Sequence, residues 1–200
     1  MRIAIINMTG GGMSGGYRKY LQNVLPRMAV HPDVEAILCA SPELLNVQGW
    51  FGSLPNVEFA RGQPFRILRH KVNNELRQHL KRFRPDDIFV PTERFLEFEG
   101  FPVVNMVQDM EPFVAIDGNP LRERFRNWLR RVNAKRALKK STRIIAPSRH
   151  VRDFLIHNLN VRSDKVGLIH HGVELAKGDI CRPDIIPNGW DNHFLFTAGS

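Results

Sequence analysis

Apolar and polar positions fall into alternating blocks along this chain, short wholly apolar runs separated by stretches with helical spacing. Residues 2–7, Arg-Ile-Ala-Ile-Ile-Asn, are nearly all apolar, as a central parallel strand covered on both faces requires. A glycine loop, residues 9–16, follows. Tyr17, Tyr20, Leu21, Val24, Leu25 and Met28 then recur at i, i+3 and i+4, which predicts a helix over 17–28. Strands are predicted at 34–40, 56–60, 86–90, 101–107, 142–146 and 165–170. Between them the spacing predicts a basic helix over 65–83, ended by the Arg84-Pro85 step. A long helix over 121–140 carries Phe125, Trp128, Leu129, Val132 and Leu138 as its apolar stripe, and a last helix begins behind Ser148 at the N-cap. Strands alternating with helices of this length predict a Rossmann-like three-layer α/β domain with a mostly parallel sheet.

After Glu174 the pattern dissolves into a Pro/Asn/Gly-rich stretch, and a fresh apolar strand begins at His193. The expected division is a domain over 1–175, a linker over 176–192, and the first strand of another domain over 193–200. A strand with no following helix is read as a truncated domain.

Composition sharpens this picture in two places. The apolar share of 42% is enough for a sizeable core, and no run approaches the ~18 apolar residues of a spanning helix. The N-terminus has no signal-like segment, and the cysteines, Cys39 and Cys181, form no CxxC or Cys/His cluster. Cys39 lies in an apolar run and reads as a buried reduced thiol, so the cytoplasm is the expected compartment. The formal charge of +9 is uneven: residues 66–84 carry +6 and residues 121–140 carry +8. Clustering of this kind fits an anionic partner, or two solvated helix faces.

The candidate chemistry begins at Gly10-Gly11-Gly12-Met13-Ser14-Gly15-Gly16, between the first strand and first helix. Glycines there let a ligand approach main-chain N–H groups, and the helix N-terminus favours a phosphate or diphosphate. A flexible βα turn would read the same way. Gly10, Gly12 and Gly15 satisfy GxGxxG, but the second strand ends Ala40-Ser41-Pro42 without the acidic residue a dinucleotide ribose needs. No GK[ST] or metal-ligand spacing occurs, so the expected site holds no metal.

Further motifs carry a family likeness. Gly15-Gly16 resembles the glycine turn of family-four glycosyltransferases. Ala134–Ser148 resembles their helix and strand ending in Ser, and Val161–Glu174 is similar to the run that closes their first domain. The resemblance implies one half of a GT-B fold, the acceptor-side domain of a retaining, metal-independent enzyme of hexosyltransferase type. Such an enzyme moves sugar from a nucleotide diphosphate sugar to a saccharide or lipid-linked acceptor, without further cofactor, and this half alone would be inactive. Cell-envelope polysaccharide synthesis at the inner face of the membrane is the implied setting.

Carried over by position, Gly12, Gly15 and Gly16 take the loop role, with Tyr17 and Arg18 beside them. The family's His-Asp after the fifth strand becomes Gln108-Asp109, expected catalytic or, failing that, a turn cap. Gln108 cannot supply an imidazole's proton chemistry but can bind a sugar hydroxyl. His170 or His171 replaces a family Asn. Arg149 and His150 open a helix facing the expected cleft and are candidate substrate ligands. The basic amphipathic helix over 121–140 suits an anionic membrane surface, unless its stripe packs on the sheet. An NAD(P)-dependent oxidoreductase and a basic nucleic-acid-binding domain are the alternatives. The second is disfavoured because Phe125 and Trp128 lie on the apolar stripe. Oligomeric state is not legible.

Overall fold

The computed structural model describes residues 1–8, 15–43, 47–114 and 120–172, with the side chains of 15–17 also outside the description. Seven parallel strands form one sheet: β1 (Arg2–Ile6), β2 (Ala36–Ser41), β3 (Val57–Arg61), β4 (Asp87–Val90), β5 (Val103–Met106), β6 (Arg143–Ala146) and β7 (Val166–Leu168). The helices that alternate with them include, among the described residues, α1 (Gly15–Ala29), α2 (Asn74–Phe83), α3 (Leu121–Lys140) and α4 (Arg149–His157). The strand order is β3-β2-β1-β4-β5-β6-β7. The chain thus winds outward from β1 in one direction, returns, and winds outward in the other from β4. This is the doubly wound Rossmann-like arrangement, and every strand points its carboxyl end to the same edge.

Side-chain alternation along β1 explains the three layers. Ala4 and Ile6 pack with Leu76, Leu80 and Phe83 of α2 on one face. Ile5 packs with Leu21 and Leu25 of α1 on the other, so both faces of the strand are dry. Cys39 lies in this second layer, 1% exposed, and burial pushes its thiol up to about 12, as expected of an inert buried cysteine. A third cluster joins Ala134 and Leu138 of α3 to Val151 and Leu155 of α4 over β6. The described core and sheet fall within one compact unit, Met1–His170.

Two helices differ from the sequence pattern. The basic helix expected over 65–83 starts only at Asn74, because the Asn73 side chain accepts the Leu76 N–H at 2.9 Å and caps it there. Before the cap, Phe65 donates its N–H to Met8 O at 2.8 Å, which fastens this segment to the end of β1 instead. The helix stops where expected: Arg84 turns left-handed (φ 50°) ahead of Pro85, and its N–H closes on Leu80 O. In α3 only Leu138 of the expected stripe is buried against the sheet. Asn133, Ala134, Ala137 and Leu138 are buried, while Phe125, Trp128 and Val132 stay 62%, 56% and 48% exposed. Length explains this: 20 residues span about 30 Å, whereas a four-residue strand such as β5 spans about 13 Å, so half of α3 overhangs the sheet.

The glycine loop at 9–14, the turn at 115–119, the linker expected over 176–192 and the strand expected over 193–200 lie outside the described residues.

Candidate functional site

The switch of winding direction between β1 and β4 puts the loops after these strands beside each other at the carboxyl edge, where doubly wound folds bind ligands. A cleft of about 290 Å³ opens at this edge. Glu93 and Arg94 from the loop after β4, and Asp109 from the loop after β5, form one wall; Arg126, Arg130 and Asn133 of α3 form another. Phe65, Ile67 and Pro112 supply apolar surface. A larger, open hollow by Arg2, Lys81 and Arg84 lies at the amino edge, away from the strand ends that carry the loops.

The loop after β4 is held by buried polar groups. Asn105 of β5, 2% exposed, donates through Nδ2 to Thr92 O (2.7 Å) and Arg94 O (3.1 Å), gripping the backbone on both sides of Glu93. Its Oδ1 lies 2.8 Å from Ser141 Oγ, a hydroxyl that also lies 2.6 Å from Ala137 O and has one proton to share between them. From α3, Asn133 Oδ1 accepts the Phe95 N–H at 3.0 Å, and the Arg136 guanidinium lies 4.6 Å from the Phe95 ring centre. Glu93 is therefore presented on a backbone fixed from two elements.

Electrostatics distinguishes the two carboxylates. Glu93 is 8% exposed, and its carboxyl sits above the usual glutamate range, chiefly through burial, with the nearby Asp109 charge adding to the effect. Asp109 is exposed, and its Oδ1 accepts the Glu111 N–H at 2.8 Å, so it does cap a turn while also lining the cleft. Arg94 is half-buried, 4.9 Å over the Phe65 ring, and donates to Met8 O at 3.3 Å. Burial lowers its hold on the proton, and Glu93 opposes that most strongly. Because Met8 immediately precedes the glycine loop in sequence, Arg94 joins the cleft to the beginning of that loop.

The expected site residues separate accordingly. Asp109 lines the cleft, whereas Gln108 is exposed and is not among its lining residues. Gly15 and Gly16 open α1, whose first turn holds no acidic residue. Arg18 is exposed, with its guanidinium 5.5 Å over the Trp50 ring. Arg149 and His150 are exposed on the first turn of α4, behind the expected cap: Ser148 Oγ accepts the Val151 N–H at 3.2 Å. Neither lines the cleft. Gly12 and the Tyr17 side chain lie outside the described residues. Glu93, Arg94, Asn105 and Asn133 were not legible as site residues, although a charged pair directly after a strand end and a lone Asn inside an apolar strand were signals.

The model of Glycosyltransferase Family 4 matches residues 14–177. No curated protein matches the chain in sequence. Among solved structures, a variant of the wall teichoic acid polymerase TagF is similar over 84% of this chain and 38% of its own, at 11% identity and a TM-score of 0.44. The UDP-GlcNAc 2-epimerase from Methanocaldococcus jannaschii is similar over 84% of this chain and 45% of its own, at 12% identity and a TM-score of 0.46. The chain thus spans less than half the length of either.

Proposed function

The chain belongs to glycosyltransferase family 4, and from that membership we propose that its carboxyl-edge cleft is the acceptor site of a sugar transferase. Residues 1–175 would form the acceptor-side domain of a GT-B enzyme, with 176–192 as linker and 193–200 entering the donor-binding domain. The observation that carries this reading is that Glu93, on a backbone held by Asn105, and Asp109 both line the cleft. Carboxylates bind and orient sugar hydroxyls, the chemistry an acceptor needs.

In the proposed reaction an acceptor hydroxyl oxygen bonds to the anomeric carbon of a nucleotide diphosphate sugar. The bond from that carbon to the diphosphate breaks, and the nucleoside diphosphate leaves with the bonding electrons. The hydroxyl proton passes to the departing phosphate oxygen on the same face, giving retention. Asp109 accepts a hydrogen bond from the attacking hydroxyl and fixes its direction, and Glu93 holds a neighbouring hydroxyl. Charge building on the diphosphate meets the N-terminus of α1, without requiring a metal or other cofactor.

The overhanging half of α3 supplies a location. Leu121, Phe125, Trp128 and Val132 follow one another along a helix face and are exposed, the Phe125 and Trp128 rings stacked at 5.9 Å. Arg122, Arg124 and Arg131 border them. An apolar stripe edged with cations is complementary to an anionic bilayer, and each engaged basic residue contributes about 1 kcal/mol there. The enzyme is therefore proposed to work at the cytoplasmic membrane surface, in cell-envelope polysaccharide synthesis.

Incubating the full-length enzyme with a panel of nucleotide diphosphate sugars and saccharide or lipid-linked acceptors tests the activity. Acceptor-dependent release of nucleoside diphosphate is expected. Its absence with every donor and acceptor contradicts the reading.

A further inference from the structure

Among the described residues, the Asn133 side-chain N–H has nothing to donate to. The residue is 5% exposed and lines the cleft. Its Oδ1 is committed to the Phe95 N–H, which fixes the amide orientation, because the flipped form would set N–H against N–H. Nδ2 is then left buried with no partner among the described residues, a costly state that a bound ligand relieves.

What surrounds this donor defines the ligand. Arg126, Arg130 and Asn133 stand at i, i+4 and i+7 on one face of α3, and Arg94 faces them from the loop after β4. Arg126 pairs with Glu123 (2.7 Å) and Arg130 with Glu111 (3.4 Å), but both pairs are partly open to water. Pairs of this kind hold weakly, so a doubly charged anion displaces them. Arg94 offers a further fork, stacked on Phe65 and using one donor on Met8 O. Three guanidinium groups and one amide N–H suit a tetrahedral phosphate, whose three terminal oxygens outnumber the two of a carboxylate. Glu93 and Asp109 also line the cleft, and carboxylates accept hydrogen bonds from hydroxyls. The volume, about 290 Å³, suits one small polyol or sugar with its phosphate.

We propose that this cleft recognises a phosphate on a hydroxylated acceptor, the phosphate between Arg94, Arg126, Arg130 and Asn133 Nδ2 and the hydroxyls at Glu93 and Asp109. The proposal rests on the reading of the cleft as acceptor site and names its ligand class. A free polyol phosphate and a phospholipid headgroup share this chemistry. The neighbouring exposed stripe of α3 would receive the apolar part of the second.

The test titrates the full-length enzyme with inorganic phosphate and with glycerol phosphate, by calorimetry at constant ionic strength, with chloride as control. Sedimentation with phosphatidylcholine vesicles, with or without phosphatidylglycerol, forms the lipid arm. Saturable binding of a soluble phosphate or of the phosphatidylglycerol vesicles is expected. It should weaken about tenfold or more in Asn133→Asp, which keeps the Oδ1 acceptor for Phe95, and in Arg130→Gln at a partly exposed position. The arm that binds identifies the source as soluble or lipid-borne. No saturable binding in either arm, equal binding by the Arg130 variant, or full displacement by saturating nucleoside diphosphate overturns the proposal. Sugar transfer to a neutral acceptor without phosphate binding overturns it and leaves the transferase reading intact. Phosphate binding without any sugar transfer does the reverse.

Discussion

Asn133 Oδ1 accepts the Phe95 N–H at 3.0 Å, tying the middle of α3 to the loop that carries Glu93 across 38 residues of sequence. Both partners are buried. Replacing Asn133 by Leu leaves the Phe95 N–H without an acceptor, an expected loss of about 1–3 kcal/mol. Urea unfolding of the variant checks this, and a change below about 0.5 kcal/mol, the usual range for inconsequential surface substitutions, contradicts it.

Asn105 has the same function from β5, since its two hydrogen bonds flank Glu93. Asn105→Ala should destabilise the fold by about 2 kcal/mol and also lower turnover, because Glu93 loses its fixed backbone. Asn105→Asp should not rescue it, because a carboxylate cannot donate to Thr92 O and Arg94 O. Restored turnover in the Asp variant would show that Asn105 does not act through these two bonds.

Glu93 gives a pH dependence with a definite sign. Burial raises its carboxyl above an unfolded glutamate's value of about 4.3. Between that value and the raised one, the folded chain holds a proton that the unfolded chain has lost, so stability falls as pH rises through the window. Glu93→Gln removes this titration. Its stability relative to the parent should therefore climb with pH across the window and then level off, as read by unfolding at a series of pH values from 4 to 8. A difference that is flat or falls with pH is incompatible with a buried Glu93.

The exposed stripe of α3 makes a prediction in which stability and binding part company. Phe125 and Trp128 are 62% and 56% exposed, so Phe125→Ser with Trp128→Ser should leave the melting temperature within a few degrees of the parent. The same variant should lose cosedimentation with anionic vesicles, which the parent should show at low salt and lose at high salt. If the parent ignores vesicles and instead dimerises through this face, the membrane proposal fails.

Most of the fold was legible because the central strands β1, β2 and β4 are largely buried and read as nearly unbroken apolar runs. Ser148 and the Arg84-Pro85 step were likewise legible, since capping and proline sterics act locally. The start of α2 was missed because Phe65, Leu68 and Val72 continue a helical spacing, yet Leu68 is 80% exposed and the Asn73 cap overrides it. In α3 the large apolar residues misled, because the helix meets the sheet through Ala134, Ala137 and Leu138. Of the cleft's lining, Asp109 alone was named as a site residue from the sequence, through the family motif after the fifth strand. Glu93, Asn105 and Asn133 come together only in three dimensions, through contacts between β5, α3 and one loop.

The most direct test of the acceptor-site reading is steady-state sugar transfer by the full-length enzyme, comparing the parent with Asp109→Asn and Glu93→Gln. Both substitutions keep side-chain size and remove the carboxylate facing the acceptor. Turnover should fall about a hundredfold or more for Asp109→Asn, with a smaller loss and raised KM for Glu93→Gln, while thermal melting shows both variants folded. Two folded variants with the parent's kcat and acceptor KM would place the acceptor elsewhere and contradict the central claim.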